Sequence, residues 1–195
     1  LSEIHGVSRT VVREALKGLT ARRLIESSTK IGTIVRDRRE WQWWDPDVIG
    51  WATESKDRKK ILLELTEVRL AIEPAVVELA AKNANDAELE FIKECYQKLE
   101  QAIDDEEEWA KADTEFHNSI FMASHNELML SLINILKIGL MRSRMTTIRS
   151  ISHEEALKRH RELMEAVCER NGKLAREIML SLLHRVNEVI EKRDL

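Results

Sequence analysis

The sequence predicts a mostly α-helical protein: a winged helix-turn-helix, incomplete on its N-terminal side, followed by an antiparallel bundle of six or seven helices. Three observations carry this expectation. Residues 1–36 read as a helix end, a turn, a second helix and a β-hairpin. From about residue 57 onward glycine and proline almost vanish, and apolar residues recur at three- and four-residue spacing. Charge is divided as well: residues 1–39 hold nine Lys/Arg against four Asp/Glu, and the remainder holds 22 against 31. A chain of 195 residues has room for one small and one larger domain. The reading places a head at 1–36, a tryptophan-rich linker at 37–55 and a helical domain at 56–195.

The head is built from punctuation and periodicity. Gly6 permits the tight turn after a short helix. Ser8 is a good N-cap for the next helix. That helix turns Val12, Ala15, Leu16 and Leu19 inward, at the spacing of one helix face. Arg9 and Arg13 share a different face near the helix start, where donors can meet base edges and phosphates of duplex DNA. Leu24-Ile25-Glu26, a polar turn and Gly32-Thr33-Ile34-Val35 then form a hairpin wing. A basic head on an acidic body suits a polyanion-binding module joined to a domain that does not touch the polyanion.

Four of the five tryptophans crowd into residues 41–51 as Trp41, Trp43, Trp44 and Trp51. Stacking on nucleic-acid bases is one use for such rings; the reading favoured here is that they pin the two domains together or cover a subunit contact. Asp45 and Pro46 open a short helix. Beyond it, helices are expected over 57–82, 86–104, 106–124, 127–149, 153–170 and 173–192, with a kink or break at residues 70–74 imposed by Pro74.

Several function classes are excluded. No apolar run approaches the ~18 residues of a membrane span. Cys95 and Cys168 show no CxxC spacing, so a disulfide framework and a cysteine zinc site are not indicated, and the expected setting is a reducing cytoplasm. There is no glycine-rich phosphate loop. What the helical part does contain is a set of metal-ligating side chains. Asp113 and His117 lie at i, i+4 on one helix face. His160 and His184 flank the Asn171-Gly172 turn at nearly equal distances, which puts both imidazoles at one height in an antiparallel hairpin. One carboxylate and three imidazoles suit a divalent transition metal, zinc or nickel before magnesium. His125 and His153 fall in turns and read as solvent-facing.

The run VSRTVVREALKGLTARRLIE followed by KIGTIVRD resembles the winged helix of GntR-type bacterial transcription regulators. The segments EVRLAIEPAVVELAA and ADTEFHNSIFMASHN, with the two late histidines, resemble the effector domain of that family's FadR branch. The resemblance implies operator contacts by Ser8, Arg9, Thr10 and Arg13 from the helix and by Thr29, Lys30 and Gly32 from the wing. It implies a further helix ahead of these residues. It also implies that Asp113, His117, His160 and His184 hold one metal, and that Arg69 points into an effector cavity. Arg142, by sharing a helix face with Arg149, and Asn187, at i+3 from His184, are further candidates for effector binding. WDPDVIGW is similar to the linker of members that respond to sugar acids such as galactonate.

The function expected is therefore that of a homodimeric regulator on a double-stranded operator, a repressor released when a small organic or sugar acid binds at the metal. A metal-dependent enzyme and a sensor of the metal itself are the alternatives. An enzyme leaves the basic head unexplained and lacks an evident general base beside the ligands.

Overall fold

The computed structural model describes residues 1–28, 30, 32–147 and 150–193. The chain forms two compact units, Leu1–Trp51 and Ala52–Leu195. Among the described residues no helix is long and apolar enough to cross a membrane.

The first unit opens with α1 (Ser2–His5), closed by Gly6 in the left-handed conformation at φ 62°. Only glycine adopts that geometry at no steric cost. In α2 (Arg9–Ala21) the Ser8 hydroxyl accepts from the Val11 amide at 3.3 Å, capping one of the orphan donors at the helix start. Strands β1 (Ile25–Ser28) and β2 (Gly32–Val35) pair antiparallel, Ile25 opposite Val35 and Ser28 opposite Gly32. Gly32 takes φ 83° where the hairpin re-enters the ladder.

A small core of Leu24, Ile25 and Val48 holds this unit, with Leu16, Leu19, Trp41 and Trp43 packed against it. Trp41 and Trp43 stack 5.6 Å apart, and their indole N–H groups donate to the carbonyls of Arg36 and Arg38. These two rings pack against the head's own core. They are partly buried because a unit this small has few other large side chains to cover Leu24 and Ile25. Trp44 and Trp51 remain half exposed. Arg22 ties the helix α2 end to the next segment through Asp45 at 3.0 Å and through Asp47. That segment carries a short 3-10 turn (Arg38–Glu40) and then α3 (Pro46–Glu54).

The second unit is a bundle of α4 (Arg58–Asn83), α5 (Asp86–Gln101), α6 (Glu106–Met122), α7 (Glu127–Thr147), α8 (His153–Cys168) and α9 (Gly172–Lys192). The caps are local and legible: Asn85 and Glu88 form a reciprocal capping box, Asp105 caps α6, Ser152 caps α8 and Asn171 caps α9.

The expected break at Pro74 does not occur; α4 runs through it for 26 residues. A proline inside a helix costs about 3 kcal/mol. Here α4 buries Leu62, Leu65 and Thr66 before Pro74 and Val76, Val77 and Ala80 after it, so core packing on both sides outweighs the lost backbone bond. At the α8–α9 turn, Gly172 lies so close to α4 that an added Cβ would stand 3.1 Å from the Glu78 carbonyl oxygen.

Candidate functional sites

In the first unit, Ser8, Arg9, Thr10 and Arg13 are all exposed along the start of α2. Most basic residues around them are already committed: Lys17 pairs with Glu14, Arg36 with Glu40 and Arg39 with Asp37. Arg9 and Arg13 form no ion pair among the described residues and line a shallow groove with Val12, Leu16 and Ser27. Lys30 is exposed in the wing turn, its amide donating to the Ser28 hydroxyl at 3.2 Å, and Gly32 is exposed at the start of β2. Thr29 and Arg149 lie outside the described residues.

The second unit encloses a cavity of about 560 Å³. On its wall α6 presents Asp113 and His117 one turn apart, and α8 brings His160 to them. All three are buried. Asp113 Oδ1 is 2.9 Å from His160 Nε2 and 3.7 Å from His117 Nε2, and the two Nε2 atoms are 3.2 Å apart. Ligand bonds of about 2.1 Å place neighbouring donors about 3.0–3.4 Å apart around a single ion; the His160 separations lie close to that range and the Asp113–His117 separation is a few tenths of an ångström wider. His160 Nδ1 donates to the Ala156 carbonyl at 2.6 Å, which leaves the Nε2 lone pair of the neutral ring pointing at the cluster. The Nδ1 atom of buried His117 has no hydrogen-bond partner among the described residues. A neutral ring carries a single ring proton, so the protein alone does not satisfy all the acceptors gathered here. A cation among them does, and the residues fit one.

Electrostatics follow from the same geometry. Burial alone would raise the Asp113 carboxyl, but the Arg144 guanidinium beside it, with His117 and His160, holds it well below the usual carboxylate range. Burial pushes the His117 imidazole well below its ordinary value; Asp113 opposes that shift, while Arg144, His160 and Arg69 add to it. Both shifts favour the deprotonated ligand forms that a metal requires.

The other candidates divide. His184 lines the cavity, but it is exposed and stands outside the buried trio. Equal distance from the turn sets height along a helix and leaves the angle around the helix open, which is why the height argument alone did not bring it in. Arg69 lines the cavity and also pairs with buried Glu73, its Nε donating to Oε1 at 2.8 Å. Arg142 is corrected: it lies exposed at a position paired with Glu54, away from the cavity. Asn187 is corrected as well, since it donates to Glu191 at 2.8 Å and does not line the cavity.

Two residues take unexpected places. Arg144, rather than Arg142, enters the cavity and pairs with Asp113. The buried stripe Ile133, Leu136, Leu140, Ser143 and Thr147 brackets position 144, so a charge flanking the apolar stripe was the available signal. His153, expected in solvent, is part-buried on the cavity wall. Its Nδ1 donates to the Ile103 carbonyl at 2.6 Å, and Trp109 shields its ring. The hydroxyl of Ser143, fully buried on the same wall, has no partner among the described residues.

Comparison with known proteins shows the family of the chain. The FCD domain family matches residues 64–185. The galactonate operon transcriptional repressor of Escherichia coli K12 is 26% identical over 187 residues, covering 94% of this chain and 81% of that protein. The HTH-type transcriptional regulator LutR of Bacillus subtilis 168 is 31% identical over 196 residues, with coverages of 97% and 88%. Among solved structures, a Streptococcus agalactiae GntR superposes with a TM-score of 0.59 at 26% identity, covering 96% of this chain and 85% of that one. E. coli McbR/YncC, at 19% identity, shares the fold with a TM-score of 0.62 over 98% of this chain and 84% of its own.

Proposed function

The chain belongs to the GntR family of transcription regulators and carries the FCD domain, and from this premise we propose that a small organic acid, bound at a divalent metal in the helical unit, governs its grip on operator DNA. The family is one of DNA-binding regulators and not of enzymes. The observation that carries the proposal is the buried Asp113–His117–His160 cluster facing a cavity of about 560 Å³.

These three side chains would hold the ion, zinc or nickel by the imidazole content, with His184 on the cavity wall as the fourth candidate ligand. The bound ion supplies a Lewis-acidic locus for carboxylate oxygens. Arg69 supplies a second anchor of the bidentate kind, and the unpartnered Ser143 hydroxyl offers a donor or acceptor to a ligand hydroxyl. A sugar acid fits this lining, and the similarity to a galactonate operon repressor supports that class and a repressor's role. A sensor of the metal alone is the second reading, but an ion needs no space of that size.

On the DNA side, Ser8, Arg9, Thr10 and Arg13, with Thr29, Lys30 and Gly32 of the wing, form the operator surface of a homodimer. Ligand action requires only that the acid bind two conformations with different affinity.

Metal analysis of the purified protein, followed by thermal-shift screening against organic and sugar acids with zinc and with chelator, tests the reading. About one divalent ion per chain is expected, with an acid-dependent shift that vanishes on chelation. A site that stays empty after soaking in zinc and nickel rejects the metal. A shift by zinc alone, with operator release and no response to any acid, selects the metal sensor.

A further inference from the structure

Asp113 has two claimants. Its Oδ1 faces His160 and His117, while its Oδ2 is paired with Nε of Arg144. The pair is nearly closed to water, with Arg144 12% and Asp113 10% exposed in their side chains. The other cation near the cluster, Arg69, is already neutralised by buried Glu73. Of the other charged groups lining the cavity, Glu155, Arg159, Glu177 and Glu188 are exposed, where solvent screens them, and part-buried Arg185 is paired with Glu188 at 3.4 Å.

The buried charge therefore cancels in the ion-free site: one carboxylate, one unshared guanidinium. A divalent ion entering at Oδ1 would share a single carboxylate with a fixed positive group, in a place nearly closed to water. Like charges that close, in a low-dielectric setting, strongly disfavour each other.

We propose that Arg144 is a built-in competitor of the metal. It holds Asp113 in the ion-free state, is displaced from the carboxylate when the ion binds, and then faces the cavity as a receptor for an anionic oxygen of the ligand. This rests on the metal reading above and adds a coupling to it. The loaded site, with the ion, Asp113 and the released guanidinium, gains two positive charges over the ion-free site, so anion affinity appears only with the metal. Metal and acid then bind cooperatively, and each raises the affinity of the other by the same factor. Arg144 is a positioning residue for the ion and a contact residue for the acid.

The test is calorimetric titration of the full, chelator-treated chain with zinc chloride alone, for wild type, Arg144→Gln and Arg144→Lys. Circular dichroism confirms the fold of each. Arg144→Gln is expected to bind zinc about tenfold more tightly than wild type, a coupling within the usual range. Arg144→Lys keeps the charge but not the planar fork, and falls between the two. Equal or weaker zinc binding by folded Arg144→Gln overturns the competition and leaves the metal site standing. Wild type that binds no zinc overturns both.

A measurement on unmutated protein guards against misfolding of the variants. In nitrogen-15 NMR the Arg144 Nε–H signal, assigned by its absence in Arg144→Lys, should move on adding one equivalent of zinc. A signal that stays in place while zinc binds also overturns the proposal.

Discussion

The ring of Trp109 lies flat on that of His153, with centroids 4.6 Å apart and planes within 4° of parallel. The contact joins α6 to the first residue of α8 and forms part of the cavity wall. Trp109 is 5% exposed. Replacing it with alanine is expected to cost about 3–5 kcal/mol in urea unfolding, the range for a buried tryptophan. His153→Ala should cost about 1 kcal/mol, the net worth of a hydrogen bond, while blunting the acid response. Equal losses from the two changes would mean that the stack, and not the indole's own burial, holds this wall.

The DNA face makes a separate prediction. Arg13→Ala should weaken operator binding by about 1–3 kcal/mol and leave the helical fold intact. Fluorescence anisotropy at physiological salt reads it. If Arg13 reaches a phosphate rather than a base, the loss is uniform across DNA sequences and the salt slope falls by about one.

The head carries an acid-sensitive link. Burial alone would raise the Asp45 carboxyl, but its hydrogen bond from Arg22 and the amides of Val48 and Asp47 lower it below its ordinary value. A depressed carboxylate stabilises the folded state above its unfolded pKa of about 3.9, and that contribution is lost as pH falls through the folded value. Acid titration of tryptophan fluorescence should therefore show head loosening below about pH 4. Asp45→Asn should be less stable at neutral pH and flatter across that window.

At the metal cluster, His160→Ala and Asp113→Asn should each abolish the zinc-dependent rise in melting temperature. Wild type at one hundred times its dissociation constant gains about 2.7 kcal/mol by mass action. Operator binding by the two variants without acid should stay near wild type. A His160→Ala protein that keeps the zinc shift would remove α8 from the ligand set.

The sequence carried different parts of this site with different clarity. Asp113 and His117 were legible because an i, i+4 pair is a local property of any helix. His160 was legible by height above the Asn171-Gly172 turn, and His184 only in that same coordinate. The choice between Arg142 and Arg144 turned on which face of α7 meets the bundle, and a heptad count between two arginines ignored the buried leucines that settle it. Pro74 misled for a related reason. Its local penalty is visible in one letter, whereas the packing of α4 that overrides it is spread over residues far apart in the chain. Trp109 and His153 meet across 44 positions, beyond the reach of any periodicity.

Gly172 has a reach that its position at a turn conceals. Its missing side chain lets α9 begin against the Glu78 backbone of α4, and Arg176 fastens the same turn to the Glu78 carboxylate at 3.2 Å. His184 lies twelve residues further on, about 18 Å along the helix. A methyl group at residue 172 would lift the near end of α9 by a few tenths of an ångström and tilt the far wall of the cavity. Two relatives with identical ligand residues could thus differ in what they answer to because of one carbon atom at a hinge remote from the chemistry, and the tuning of such a protein in evolution need never touch its site.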